Sequence, residues 1–255
     1  MISVVMAHYN RINLLRHTLK TICNTKSKDF EIVIVDDFSD KQHNLNSIQS
    51  EFPQLQINLI NMSSIMSTKT YVSPCVPYNV GFRASRGDKI IIQNPECCHV
   101  GDIISYAENN LTDNNYLSYH CWSCDRPDLN LLHSGKSIQI DKPQPTKAKW
   151  YNHKDHRPVA FHFASAITRK NLIELNGFDE RYALGFNYDD TEFLQRIKNK
   201  DLKIDFVADP YVIHQYHGKM FNNPLNPQAT VNTKELYEDL IKNPFVKANN
   251  KDPIQ

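Results

Sequence analysis

Three places in this chain set acid–base or metal-binding side chains at the end of an ordered segment. Asp36 and Asp37 follow the apolar run "FEIVIV", Asn94 and Glu96 flank a proline after "DKIIIQ", and Asp189 and Asp190 sit together in "NYDDTEF". Two adjacent acids at the carboxyl end of a buried strand either cap the next turn or send one carboxylate to a ring N–H or a ribose hydroxyl. The pair at 189–190 opens a helical pattern, where carboxylates complement the positive end of the dipole. The same pair can do more, because like-charge repulsion raises one pKa toward the range of a general base. A buried strand that stops at an amide, a proline and a carboxylate must also have a use for Asn94 and Glu96.

The elements that hold these residues alternate. "ISVVMA" (2–7) is an apolar strand, and "INLLRHTLKTIC" carries Ile12, Leu15, Leu19 and Ile22 at helical spacing. "FEIVIVDD" (30–37) is a second strand, "SDKQHNLNSIQSEF" a capped helix, "LQINLINM" a third strand, "PYNVGFRAS" a helix and "DKIIIQN" a fourth strand. This βαβαβ order predicts an α/β fold, with a mainly parallel twisted sheet flanked by helices in a single domain. In such sheets ligands bind beyond the carboxyl ends of the strands, where the polar stretches fall. Residues 121–160 are polar and proline-bearing, an excursion expected to be a functional or mobile loop. "FHFASAITRKNLIELNGF" reads as a strand and a short helix ended by Gly177, "YDDTEFLQRIKNK" as a helix burying Phe193, Leu194 and Ile197, and "TKELYEDLIK" as a last helix.

Composition narrows the classes. The 255 residues carry 29 basic and 28 acidic side chains spread along the chain, which argues against nucleic acid as a partner. No stretch reaches the roughly 18 apolar residues of a membrane span, and "MISVVMAHYN" turns polar too soon for a signal peptide. The expectation is a soluble, cytoplasmic protein. Six cysteines show no secreted-type framework, and "CWSC" lacks the second ligand pair of a structural zinc, so all are read as thiols. No G-x-G-x-x-G follows the first strand, which argues against a dinucleotide-binding dehydrogenase.

Five stretches, "SVVMAHYNR", "FEIVIVDDFSD", "NVGFRASRGDKIIIQNPE", "NGFDERYALGFNYDDTEFLQRIK" and "VIHQYH", occur in the order and approximate spacing of GT-A fold glycosyltransferases of family 2. The chain resembles that family over about residues 2–217. The resemblance implies a domain over 1–220, with 1–105 as the nucleotide-binding half and 106–220 as the acceptor-side half, and a C-terminal extension (221–255) bearing a short helix. It implies an inverting transferase that moves a sugar from a nucleotide-sugar donor, a UDP-sugar first, to a hydroxyl of a glycan or other acceptor.

The resemblance also assigns residues. The turn Ala7–Arg11 would pack on the nucleotide through Ala7, Tyr9 and Arg11, although the family has Pro-Thr where this chain has Ala7-His8. Asp36 and Asp37 would face base or ribose, and Asn79 and Arg83 would contact nucleotide or phosphate, Arg83 being otherwise a solvated helix residue. The family's Asp-x-Asp is here Asn94-Pro95-Glu96. Glu96 supplies a hard oxygen for Mn²⁺ or Mg²⁺, while the neutral amide of Asn94 suits a ribose hydroxyl. His214 and His217 are the further metal candidates. Their i, i+3 spacing in an extended chain predicts that one reaches the ion, His217 by register. Asp190 maps to the general base and Asp189 to its acceptor-orienting neighbour. Trp122, Trp150 and Tyr151 are either sugar-stacking surfaces or core. Two other readings are a catalytically inactive GT-A domain that binds nucleotide or glycan and, after it, a nucleotidyltransferase.

Overall fold

The computed structural model describes residues 1–135, 149–218 and 231–255. Its first half is the parallel block that the apolar runs imply. Strands β1 (Ile2–His8), β2 (Phe30–Asp36), β3 (Ile57–Asn61) and β4 (Lys89–Gln93) pair in parallel in the order β3-β2-β1-β4. Residues alternate between two faces, as strand geometry requires. Val4, Met6, Ile32, Ile34 and Ile91 point into one core layer, Val5, Val33, Val35, Ile90 and Ile92 into the other. Each such side chain contributes roughly 1.5–3 kcal/mol by burial, so a one-residue register slip would forfeit many of them.

Helices close both faces. On one lie α1 (Ile12–Ile22), the single turn α2 (Ile48–Glu51) and α4 (Ile103–Asn110). On the other lie α3 (Cys75–Ala84), α6 (Arg169–Leu175) and α7 (Asp189–Asn199). At Gly81 a Cβ would stand 2.5 Å from Val5 Cγ1, so glycine lets α3 sit directly on β1. The segment 39–52 is not one capped helix but a 3₁₀ turn at Lys41–His43 and the short α2. Asn44 accounts for the break: its side chain bonds Lys41 O and the Asn46 amide, local bonds that compete with a helix. At the end of α6 both Asn176 (φ 60°) and Gly177 (φ 66°) are left-handed, so the cap expected of Gly177 is shared.

The second half extends the sheet with antiparallel and parallel pairs. β8 (Ala164–Thr168) runs antiparallel to β4. β6 (Asn115–Ser123) lies between β8 and β9 (Lys203–His214), and β5 (Cys97–Val100) forms the far edge beside β9. The described residues of 121–160 are more ordered than their composition implies. They hold the end of β6, α5 (Arg126–His133) and β7 (Trp150–Asn152), with 136–148 outside the described residues. Near the C-terminus α8 (Thr233–Lys242) packs on α7, and Asn176 and Arg196 bond Ala248 and Val246, joining this segment to the main domain. No helix among the described residues is long and apolar enough to cross a membrane.

Candidate active site

The carboxyl ends of β1, β2 and β4 open on a cavity of about 270 Å³, lined by Ala7, Tyr9, Arg11, Asp37, Lys69 and Asn94, with Tyr78 and Phe186 completing its walls. Asn94 lies just beyond β4, where its side-chain oxygen accepts from the Tyr78 hydroxyl at 3.1 Å.

Glu96 sits under this cavity, fully buried between β4 and β5. Its Oε1 is 2.5 Å from Arg11 Nη1, 3.3 Å from His214 Nε2 and 3.5 Å from His217 Nε2. Burial pushes this carboxyl up, but the Arg11 charge and the two imidazoles more than offset that and hold it well below the usual carboxylate range. Both histidines therefore converge, contrary to the expectation that only His217 would. β9 ends at His214, and the Gln215 amide still bonds Glu96 O in the β5–β9 register, which keeps the 214–217 segment beside Glu96. Glu96, His214 and His217 are the one group among the described residues able to share an ion. Glu96 Oε2 and His217 Nε2 are buried without a hydrogen-bond partner among the described residues. Two orphaned ligand atoms beside a third donor fit a divalent ion.

The turn after β1 is built around His8, where the family pattern has a threonine. This ring is fully buried. Its Nδ1 lies 3.0 Å from Asp36 Oδ1 and its Nε2 accepts from the Arg11 amide at 3.2 Å. Asp36 thus fixes the turn, one oxygen on His8 and the other on the Ser39 amide, and, though expected to face a nucleotide, it does not line the cavity. Its neighbour does face the cavity: Asp37 accepts from Lys69 Nζ at 2.6 Å and from the Tyr71 hydroxyl at 2.5 Å. Burial pushes the Asp37 carboxyl up even so. Lys69 also lies 4.5 Å from the Tyr9 ring centroid. Neither Lys69 nor Tyr71 was identifiable from sequence, since each sits in a polar loop with no periodic signal.

Asn79 and Arg83, expected to contact nucleotide or phosphate, also lie off the cavity. Asn79 is buried against the 177–180 loop, bonding the Phe178 amide and carbonyl and Glu180. Arg83 donates to the Asp252 carbonyl. Neither lines the cavity. In a helix whose opposite face packs on the sheet, these positions meet the C-terminal half instead.

A second cavity, about 320 Å³, shares Val72, Pro74 and Phe186 with the first and is floored by Asp189 and Asp190. Ser73 Oγ donates to Asp189 Oδ2 at 2.9 Å, and His162 Nδ1 lies 2.5 Å from Asp190 Oδ1. Asp189 is pushed up by loss of solvent and by the charge of Asp190. Burial would lower His162, but Asp190 and then Asp189 raise it above its ordinary value. The aromatic walls here are Phe161, Phe186 and Tyr188, not the tryptophans. Trp122 and Trp150 pack edge-on at 4.8 Å in a small cluster with Ile213, and Tyr151 packs on Phe163 and His214. All six cysteines are free thiols.

Residues 3–175 match the model of glycosyl transferase family 2, and residues 148–218 match that of the N-terminal domain of galactosyltransferase. Poly(ribitol-phosphate) beta-N-acetylglucosaminyltransferase TarP of Staphylococcus aureus is 23% identical over 98% of this chain and 75% of its own length. Chondroitin synthase of Escherichia coli is 30% identical over 36% of this chain and 12% of that protein. Among solved structures, S. aureus TarS 1–349 in complex with UDP superposes with a TM-score of 0.60 at 15% identity, over 83% of this chain and 59% of that one. Mannosyltransferase PcManGT from Pyrobaculum calidifontis, in complex with GDP-Man and Mn²⁺, gives 0.56 at 14% over 86% and 57%. At these identities the structural likeness shows the fold, and this chain spans less than two thirds of either neighbour.

Proposed function

Since this chain belongs to glycosyl transferase family 2 and is a glycosyltransferase with the GT-A fold, we propose that it transfers a sugar from a UDP-sugar to a glycan hydroxyl with inversion. The observation that carries this reading is the pair of cavities meeting at Val72, Pro74 and Phe186, one lined by Tyr9, Arg11, Asp37 and Asn94, the other by Asp189 and Asp190. A donor in the first and an acceptor in the second would meet across that shared wall. The UDP bound by TarS 1–349 and the β-product in the name of TarP support the donor and the inversion.

Residues 1–105 act as the nucleotide-binding half and 106–220 as the acceptor-side half, with 221–255 as an extension. Tyr9 and Ala7 pack against the base, Asp37 accepts from base or ribose, and Asn94 bonds the ribose. Arg11 turns its guanidinium to the diphosphate, a geometry suited to bidentate contact. Glu96, His214 and His217 hold a divalent ion, Mn²⁺ in preference to Mg²⁺, because two imidazoles and one carboxylate are a borderline rather than a hard donor set. When bound, such an ion stabilises the charge of the departing diphosphate. Asp190 takes the acceptor proton and Asp189 orients the acceptor.

The test is turnover of UDP-, GDP- and dTDP-sugars with and without Mn²⁺, with the product's anomeric configuration read by NMR, beside Asp190→Asn. Inverting turnover of a UDP-sugar that Asp190→Asn abolishes is the expected result. Binding of a nucleotide sugar with no turnover of any overturns the reading, and an unimpaired Asp190→Asn overturns the base.

A further inference from the structure

We propose that His162 is the positioning residue for Asp190, its imidazole fixing one carboxylate oxygen so that the other faces the acceptor hydroxyl. The inference rests on the reading of Asp190 as the base. Its ground is geometric. His162 Nδ1 is 2.5 Å from Asp190 Oδ1, an ion-pair contact closer than the roughly 2.7–2.9 Å usual for a charge-assisted N–H···O⁻ bond. The imidazole is buried, edge-on to Tyr78 at 5.3 Å and to Phe178 at 4.8 Å between their centroids, so its ring cannot reorient freely. Asp190 lines the second cavity while His162 does not, and the Asp190 side chain is 34% exposed. The carboxylate is thus gripped from behind and open in front.

Charge explains why a histidine serves here. Asp189 and Asp190 are adjacent acids at one helix start, and such a pair tends to keep one proton. A base that is already protonated cannot act. Ser73 offers Asp189 a neutral hydroxyl only, so the compensating cation must come from elsewhere. Burial would lower His162, and the charges of Asp190 and Asp189 together raise it, favouring an imidazolium against the pair. The other titratable group packed on the ring is Tyr78 of α3, whose phenol burial pushes well up. Tyr116 of β6 also feels Asp190 and is pushed up by burial, so neither phenol contributes charge.

In the step itself, the acceptor O–H bond breaks as its oxygen bonds the anomeric carbon, and the carbon–oxygen pair leaves with the diphosphate. The proton goes to Asp190. His162 keeps its own throughout.

Two variants separate charge from packing. His162→Asn keeps an N–H donor near the Nδ1 position and removes the charge; His162→Phe keeps the aromatic packing and removes both. For each, kcat and both KM values are measured across pH, beside Asp190→Asn, with melting and nucleotide binding as folding controls. Loss of the cation beside the acid pair leaves the base harder to ionise, so the acid limb of kcat moves to higher pH by about one unit in both variants. His162→Phe loses about 10- to 100-fold in kcat, as misplacement of a catalytic group does, while donor KM stays within about twofold of wild type, as an interaction made only in the transition state requires. His162→Asn retains more. An acid limb at the wild-type position in His162→Asn overturns the proposal, and that variant decides alone if His162→Phe fails to fold. Activity in Asp190→Asn instead overturns the reading of the base, whatever the His162 variants do.

Discussion

Both clusters at the sheet's carboxyl edge join carboxylates to histidines, with opposite proportions. Around Glu96 three nitrogen groups crowd one sealed carboxylate. At the start of α7 two carboxylates share one imidazole, and the one it grips remains partly open. A carboxylate enclosed by cations and ligands can hold charge but cannot meet a substrate proton. A partly solvated one held on a single side can. The ratio of acids to bases, more than the residue types, assigns the two clusters different work.

The strongest challenge to this contrast is Asp190→Asn, which should cut kcat by about 10³-fold, in the range for loss of a general base, while leaving Mn²⁺ binding intact. Glu96→Gln should act through the ion, lowering turnover because the ion is lost. It should weaken Mn²⁺ by more than about 100-fold, since even outer-shell losses at metal sites cost 10- to 100-fold, as read by titration without donor. A Glu96→Gln protein that binds Mn²⁺ normally would undo the contrast. Replacing Mn²⁺ by Mg²⁺ should weaken ion binding by about tenfold, on the donor argument.

A smaller effect lies in stability. His162 is raised in the folded state from its ordinary value of 6.5, so its contribution is fully present below that value and is lost as pH rises through the raised one. The melting temperature of wild type should therefore exceed that of His162→Asn most near about pH 6 and less toward about pH 9. Smallest of all, Arg83→Ala should leave donor affinity unchanged and move stability by about 0.5 kcal/mol or less. A clear loss of nucleotide binding would return Arg83 to the site.

The parallel block was legible because its strands are uninterrupted apolar runs and its first helix has clean spacing at Ile12, Leu15, Leu19 and Ile22. β5 was not, since "CCHV" is too short to read as a strand until β9 pairs with it. The acid pair and Glu96 could be found by position, being charges at the ends of apolar or periodic segments. His162 could not. It interrupts "VAFHFA" as one polar residue in an apolar stretch, and its partner is 28 positions away by residue number. His8 was hidden for the same reason, its role depending on Asp36 across the β1–β2 pair. Arg83 misled because the helical pattern gives a spacing but not which neighbour a face will meet.

Phe186 belongs to the walls of both cavities and is itself 43% exposed. If the first cavity takes the donor and the second the acceptor, as proposed, their selectivities are not separate properties in evolution: a change of size at this one position alters the room on either side, so a shift in the sugar carried arrives together with a shift in the sugar addressed.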